Sequence, residues 1–266
     1  MTTPGSATVH VSSSADGVGW IVLDNPSKLN AISLPMWRIL SEALTRFAAD
    51  PGVRCVVLRG QGEQAFCSGA DISQFETVRA GPEANAEYER VTRGTLDQLR
   101  DFPRPTMALV SGYCIGGGLA LAMACDLRIA AVGSRFGIPA AKLGIGYHHA
   151  GVKALTDLVG PAQAKQILFV GERFDAAHAL RIGLVNEVLA AEALEPRVRA
   201  LAATMAANAP LSIASAKYAV ATASALGEAY NVAGCTARER ACVASVDHAE
   251  GRRAFMAKRP PLFTGR

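Results

Sequence analysis

Two stretches of this 266-residue chain set backbone amides beside small residues, where a ligand can come close. One is Ala65-Phe-Cys-Ser-Gly-Ala-Asp-Ile72. The other is Val110-Ser-Gly-Tyr-Cys-Ile-Gly-Gly-Gly-Leu119, which reads as a strand running through glycines into a helix. Glycine lets a ligand approach the main chain, and the first N–H groups of a helix are unpaired donors backed by the helix dipole. A carbonyl turning into an enolate needs two such donors aimed at one oxygen. A Gly-Gly-Gly run alone can equally serve tight packing, so the two stretches carry meaning as a pair.

Other chemistries find no footing. The glycines do not satisfy GxGxxG, there is no GxxxxGK[ST] phosphate loop, and no GxSxG elbow makes Ser68 or Ser111 a hydrolase nucleophile. The six cysteines are scattered without a CxxC pair, and most sit in apolar runs, which reads as buried reduced thiols of a cytoplasmic protein. Cys67 and Cys114 lie near the amide stretches but lack a partnered base, so both read as packing residues. The histidines are dispersed apart from His148–His149, leaving no metal-ligand spacing. Lys and Arg number 27 against 23 Asp and Glu, and no basic block exceeds the pairs Arg252–Arg253 and Lys258–Arg259. That balance excludes a dedicated nucleic-acid binder. The amino terminus lacks a basic start and apolar run, and no stretch of ~20 apolar residues could span a bilayer. The expectation is a soluble, cytoplasmic α/β enzyme.

The elements that must position the amides follow from periodicity. Residues 7–11 and 17–24 read as strands joined by a polar turn, and Asn25-Pro26 ends the second. Apolar residues at 36, 39, 40, 43, 44 and 47, after Ser33 as a cap, predict an amphipathic helix over 34–49. A strand over 53–59 precedes a glycine-rich loop over 60–82 with one helical turn near Asp71. A polar helix over 83–101, a strand at 106–110, a small-residue helix at 116–125 and a strand at 127–131 follow. From about 150 the chain reads as mainly helical, with Gly160-Pro161 and Ala209-Pro210 each starting a helix. Strands early and helices late predict one α/β core, residues 1–200, with a helical extension over 201–266.

Taken together the segments resemble the crotonase superfamily, also called the enoyl-CoA hydratase/isomerase family. The resemblance runs in order through Asn25-Pro-Ser-Lys-Leu-Asn-Ala31, Ala65–Ile72, Gly112-Tyr-Cys-Ile-Gly-Gly-Gly118 and Ala124-Cys-Asp-Leu-Arg128. It continues through Phe136-Gly-Ile-Pro139, Ala179–Asn186 and Glu250–Pro260. It implies a spiral of ββα units, a C-terminal helical trimerisation region, a homotrimer or dimer of trimers, and an acyl-CoA thioester as ligand with no further cofactor. By position, the oxyanion hole it implies is the N–H groups of Ala70 and Gly117. Ser68, Asp71 and Ile72 become CoA contacts, Lys28 a phosphate or adenine contact, and Phe255 and Lys258 contacts from the closing segment, sometimes across a subunit boundary. Asp126 reads as structural.

The chain departs from the family hydratase where two glutamates handle water and the α-carbon proton. The position two residues after the glycine triplet is Ala120, and the one after the proline of Phe-Gly-x-Pro is Ala140. Alanine transfers no proton, so two-glutamate hydration is not expected. What remains is the loop Gly144–Ala150. A dehalogenase and a dienoyl-CoA isomerase of the superfamily place an aspartate where His148 falls. Pro139-Ala-Ala-Lys-Leu-Gly-Ile-Gly-Tyr147 is similar to a tyrosine-bearing segment of methylmalonyl-CoA decarboxylase, which however has a histidine where this chain has Ala70. Tyr147, to orient a carboxylate, and His148 or His149, to return a proton, are therefore the candidate side chains for a decarboxylase or other lyase; His148 is preferred, since His149 also reads as a helix-start or surface residue. A non-catalytic acyl-CoA-binding oligomer is the other reading open at this point.

Overall fold

The computed structural model of the chain describes residues 7–71, 81–224 and 231–266. Strands β1 (Thr8–Ser13) and β2 (Val18–Asp24) form an antiparallel hairpin, and helix α1 (Leu34–Ala49) leads to β3 (Cys55–Gly60) and β4 (Ala65–Cys67). Then come α2 (Pro82–Arg100), β5 (Thr106–Val110), β6 (Tyr113–Ile115), α3 (Gly117–Ala124), β7 (Leu127–Ala131) and β8 (Arg135–Gly137). The second half holds α4 (His149–Val170), β9 (Phe174–Asp175), α5 (Ala176–Arg181) and β10 (Glu187–Leu189). The helices α6 (Ala191–Ala207), α7 (Pro210–Ala223), α8 (Val232–Ala244) and α9 (Val246–Met256) close the chain.

The strands form a six-stranded sheet in the order β1-β2-β3-β5-β7-β10 and a four-stranded sheet in the order β4-β6-β8-β9. From β2 onward the large sheet is parallel. The pairs β3–β4, β5–β6 and β7–β8 each place one strand in the large sheet and the next in the small one, before the chain goes helical. Repeating that ββα turn winds an α/β spiral, the crotonase-like class that the resemblance implied.

The stretch from Val110 into the glycines is therefore two strands in different sheets, with Gly112 as the reason for the break. Its φ of 67° lies in the left-handed region, and a Cβ there would stand 1.9 Å from the carbonyl oxygen of Gln64. The three residues of β4 lie inside the segment expected as loop, and β9 and β10 inside the half expected as helix. Strands this short show no alternation to read. The helical turn expected near Asp71 falls on residues outside the described ones, apart from Asp71 itself.

Period-two alternation gives the large sheet two apolar faces. One face, with Ile21, Leu23, Val56, Leu58, Ala108 and Val110, packs against α1, α3 and the small sheet's Phe66, Cys67, Cys114 and Phe136. The other, with Trp20, Val57, Met107, Leu109 and Ile129, takes Leu194, Val198 and Ala202 of α6. Each Val, Leu, Ile, Phe or Met among them contributes about 1.5–3 kcal/mol when fully buried. Helix α1 begins where Ser33 accepts a hydrogen bond from the Met36 N–H at 3.4 Å, and it buries the expected stripe through Phe47 except for Ile39, which is half-buried.

Helix α4 is two segments, because Gly160 (φ 75°, ψ 162°) breaks the ladder just before Pro161. Beyond α6 burial thins: α8 buries no side chain, and Val220, Val243, Val246, Phe255 and Met256 are exposed. The last residues fold back on α9, where the buried Asp247 carboxylate accepts from the N–H groups of Thr264 and Gly265 at 2.7 and 2.8 Å. Among the described residues no helix is long and apolar enough to cross a membrane.

Candidate active site

Residues 68–71 run alongside 29–32 through a parallel bridge between Ile32 and Ala70. Ser68 N–H donates to Leu29 O at 3.0 Å, Ile32 N–H to Gly69 O at 2.8 Å and Asp71 N–H to Ile32 O at 3.0 Å. In an extended segment successive amides point to opposite sides, so the Ala70 N–H faces away from 29–32. On that side lies the start of α3: a Cβ on Gly117 would be 3.6 Å from the Ala70 nitrogen. The Gly117 amide belongs to the first turn of α3, whose N–H groups have no intrahelical acceptor. The two amide stretches thus meet at the residues singled out for their backbone donors.

Close packing holds them there. A Cβ on Gly118 would be 2.1 Å from Cys67 O, so α3 sits directly on the end of β4. Gly116 N–H donates to Gly137 O at 2.9 Å, tying the same turn to β8. From below, Cys67 and Cys114 face each other across β4 and β6. Burial pushes the Cys67 thiol up to about 12 and the Cys114 thiol well above its ordinary range, which makes both packing groups.

The expected CoA contacts divide. Lys28 Nζ pairs with both Asp71 carboxylate oxygens at 2.9 and 3.1 Å, and the Ser68 hydroxyl donates to Lys28 O at 3.0 Å, so all three gather beside Ala70. Ile72 lies outside the described residues. Phe255 is 83% exposed near the end of α9, and Lys258 follows at a left-handed φ of 51°, its ammonium forming no ion pair among the described residues. Sequence reasoning passed over Asn30, which builds this corner. Its side-chain oxygen accepts from Asn25 N–H at 3.0 Å, and its amide donates to Gln61 O and Ala65 O at 3.0 and 2.7 Å. An asparagine beside a proline turn is the signal, since Asn tolerates its φ of 56°.

Ala120 sits half-buried in the first turn of α3, and Ala140 packs against the core in a 3-10 turn over Pro139–Leu143. Neither carries an acid or base. In the following loop the Tyr147 ring packs on the first turn of α4, where a Cβ on Gly151 would stand 2.7 Å from Tyr147 Cε1. Its hydroxyl is buried without a hydrogen-bond partner. Burial raises its pKa, with nearby Cys114 adding to the effect, so the phenol stays a donor. His148 caps α4, its Nδ1 accepting from Ala150 N–H at 3.3 Å, while His149 is the first helical residue. That bond puts the ring proton of a neutral His148 on Nε2, and the residue as a whole is exposed. Asp126 is tied into the scaffold by Thr106 N–H and Lys217 Nζ at 2.8 and 2.9 Å. No group of three His, Cys, Asp or Glu could hold a metal among the described residues.

The family model for enoyl-CoA hydratase/isomerase matches residues 13–266. The carnitinyl-CoA dehydratase of Citrobacter koseri is 35% identical, over 92% of this chain and 94% of that protein. The crotonyl-CoA hydratase of Syntrophomonas wolfei is 32% identical, over 91% and 93%. Among solved structures, an enoyl-CoA hydratase/carnithine racemase from Magnetospirillum magneticum superposes with a TM-score of 0.88 at 36% identity, covering 97% of this chain and 96% of that one. The chain belongs to the enoyl-CoA hydratase/isomerase family, within the crotonase superfamily.

Proposed function

We propose that this protein is an enzyme acting on an acyl-CoA thioester, whose carbonyl oxygen is held by the N–H groups of Ala70 and Gly117 as it becomes an enolate. The approach of the Ala70 nitrogen to within 3.6 Å of the Gly117 Cβ position carries this reading. Losing one donor of such a pair typically costs ~10²–10³ in rate. Lys28, Ser68, Asp71 and Ile72 form the CoA side. With Ala120 and Ala140 in place of carboxylates, water addition by a glutamate pair is not the reaction.

The buried, unpartnered Tyr147 hydroxyl favours a decarboxylase or related lyase. An α-carboxylated thioester loses carbon dioxide when its Cα–carboxylate bond breaks and the electron pair passes into the enolate. No strong base is needed, only the amide pair and a donor to orient the carboxylate. Tyr147 supplies that donor, and the imidazolium form of His148 returns a proton to the α-carbon, leaving neutral imidazole.

Mass spectrometry of the protein incubated with crotonyl-, methylmalonyl-, dienoyl- and aromatic acyl-CoA tests both readings. Loss of carbon dioxide without hydration is expected. Rapid hydration of crotonyl-CoA would overturn the loop chemistry, and CoA binding without any turnover would mark a non-catalytic acyl-CoA-binding oligomer. We also infer a division into a site-bearing core, 1–200, and an assembling region, 201–266, which forms a homotrimer or dimer of trimers and lends Phe255 and Lys258 to a neighbour's CoA. The exposed apolar side chains of α7 to α9 support this, and a monomer by light scattering would overturn it.

A further inference from the structure

Helix α3, which carries Gly117 at one end, has a buried cation at the other. Arg128 is 4% exposed. Its guanidinium donates to the carbonyls of Cys125 at 2.6 Å, Ala122 at 3.5 Å and Leu184 at 2.7 Å, so it closes the C-terminal end of the helix. Burial lowers its pKa, yet a guanidinium remains charged in proteins. A cation buried without an anion is costly to keep. Among the described residues Arg128 forms no ion pair. The Asp126 carboxylate acts on it electrostatically, and that carboxylate is already matched by Lys217 Nζ at 2.9 Å. The neighbouring Cys114 and Cys125 thiols are kept protonated by burial. The positive charge of Arg128 is therefore the net charge of this end of the helix.

A helix dipole already presents its positive end at Gly117, and a fixed cation at the opposite end orients and anchors it. We propose that Arg128 is a positioning residue for the thioester oxyanion, acting through α3 to hold the Gly117 amide and to add positive potential where the oxygen becomes negative. This rests on the reading of Ala70 and Gly117 as the oxyanion hole. Eight residues of helix span about 12 Å. At an effective dielectric constant near 20, a unit charge at roughly that distance is worth about fivefold to tenfold in rate. The gain appears only as the oxygen gains charge, so it falls on kcat and leaves KM unchanged.

The red shift of bound cinnamoyl-CoA, which reports polarisation of the thioester carbonyl, tests this without requiring turnover. Wild type shows the shift, Arg128→Lys keeps most of it, and Arg128→Gln, which can still donate to the same carbonyls, loses a measurable part. Where a thioester is turned over, kcat falls fivefold to tenfold in Arg128→Gln and recovers in Arg128→Lys. Equal shifts in folded Lys and Gln variants would overturn the proposal. Should Arg128→Gln not fold, Lys217→Met decides: it leaves Asp126 to cancel the guanidinium charge, and a full wild-type shift there would equally overturn it. No red shift in wild type would mean instead that the amide pair itself does not hold the carbonyl.

Discussion

The Tyr147 ring lies directly on Gly151: a methyl group added there would stand 2.7 Å from Cε1 and 3.4 Å from Cζ. Only hydrogen fits between ring and helix, so the seating of the phenol depends on a residue four positions further along. Gly151→Ala is expected to unseat the ring while leaving the helix, for which alanine is the better former. A changed near-ultraviolet circular dichroism signal with at least tenfold slower turnover is the expected pair of results.

Tyr147→Phe separates function from stability. The buried hydroxyl lacks a partner in the free protein, so deleting it is expected to leave the melting temperature unchanged or raise it. With a carboxylated thioester the same change should cost on the order of 10–100-fold in kcat, about 1.4–2.7 kcal/mol. A variant that melts lower and turns over normally would make Tyr147 a packing residue.

The two neighbouring glycines at the start of α3 are expected to behave in opposite ways. A methyl on Gly117 meets the Ala70 nitrogen at 3.6 Å, an ordinary contact, so Gly117→Ala folds but crowds the place where a carbonyl oxygen would bind. A methyl on Gly118 meets Cys67 O at 2.1 Å, and the backbone must move. Chemical denaturation should show Gly118→Ala destabilised by about 3 kcal/mol or more, with Gly117→Ala close to wild type and inactive.

The thiols sort by burial. Cys55, Cys67 and Cys125 are pushed up to about 12, and Cys114 well above its ordinary range, so all four stay protonated and shielded at pH 8. Cys235 and Cys242 are only half-buried on α8. An Ellman titration should label no more than Cys235 and Cys242 in the native protein and all six cysteines after unfolding.

Strong acid is expected to loosen the C-terminal tail. The Arg259 guanidinium and the Leu262 N–H hold the Glu250 carboxyl down at about 2, against an ordinary value of 4.5. A depressed pKa contributes stability that is fully present above 4.5 and is lost as pH falls toward 2. Arg259→Gln should bring the Glu250 titration, followed by NMR, back toward 4.5 and expose the tail to pepsin at a higher pH.

Long elements were legible in the sequence because their patterns are physical. Helix α1 spans the predicted 34–49 with the predicted Ser33 cap, and β5 and β7 match their expected bounds. The short strands were not, since β4, β6, β8 and β9 exist only by pairing with one another. The meeting of Ala70 with Gly117 was legible only through family resemblance, because no local pattern says that residues 47 positions apart will touch. The roles of Gly151, Asn30 and Arg128 were hidden, since each depends on what packs against it.

Asn30 also sets an order of events. The turn that presents Lys28 is left-handed at both Leu29 and Asn30, a shape such a short segment does not keep unaided. It is held by bonds from Asn30 to Gln61 and Ala65, so it can settle only after β4 is laid down, and β4 in turn pairs with β6. Contacts between distant parts of a chain form late in refolding. In stopped-flow refolding, capture of a fluorescent CoA analogue should accordingly lag behind the far-ultraviolet signal of the sheets, with a newly collapsed chain acquiring its fold before its ligand.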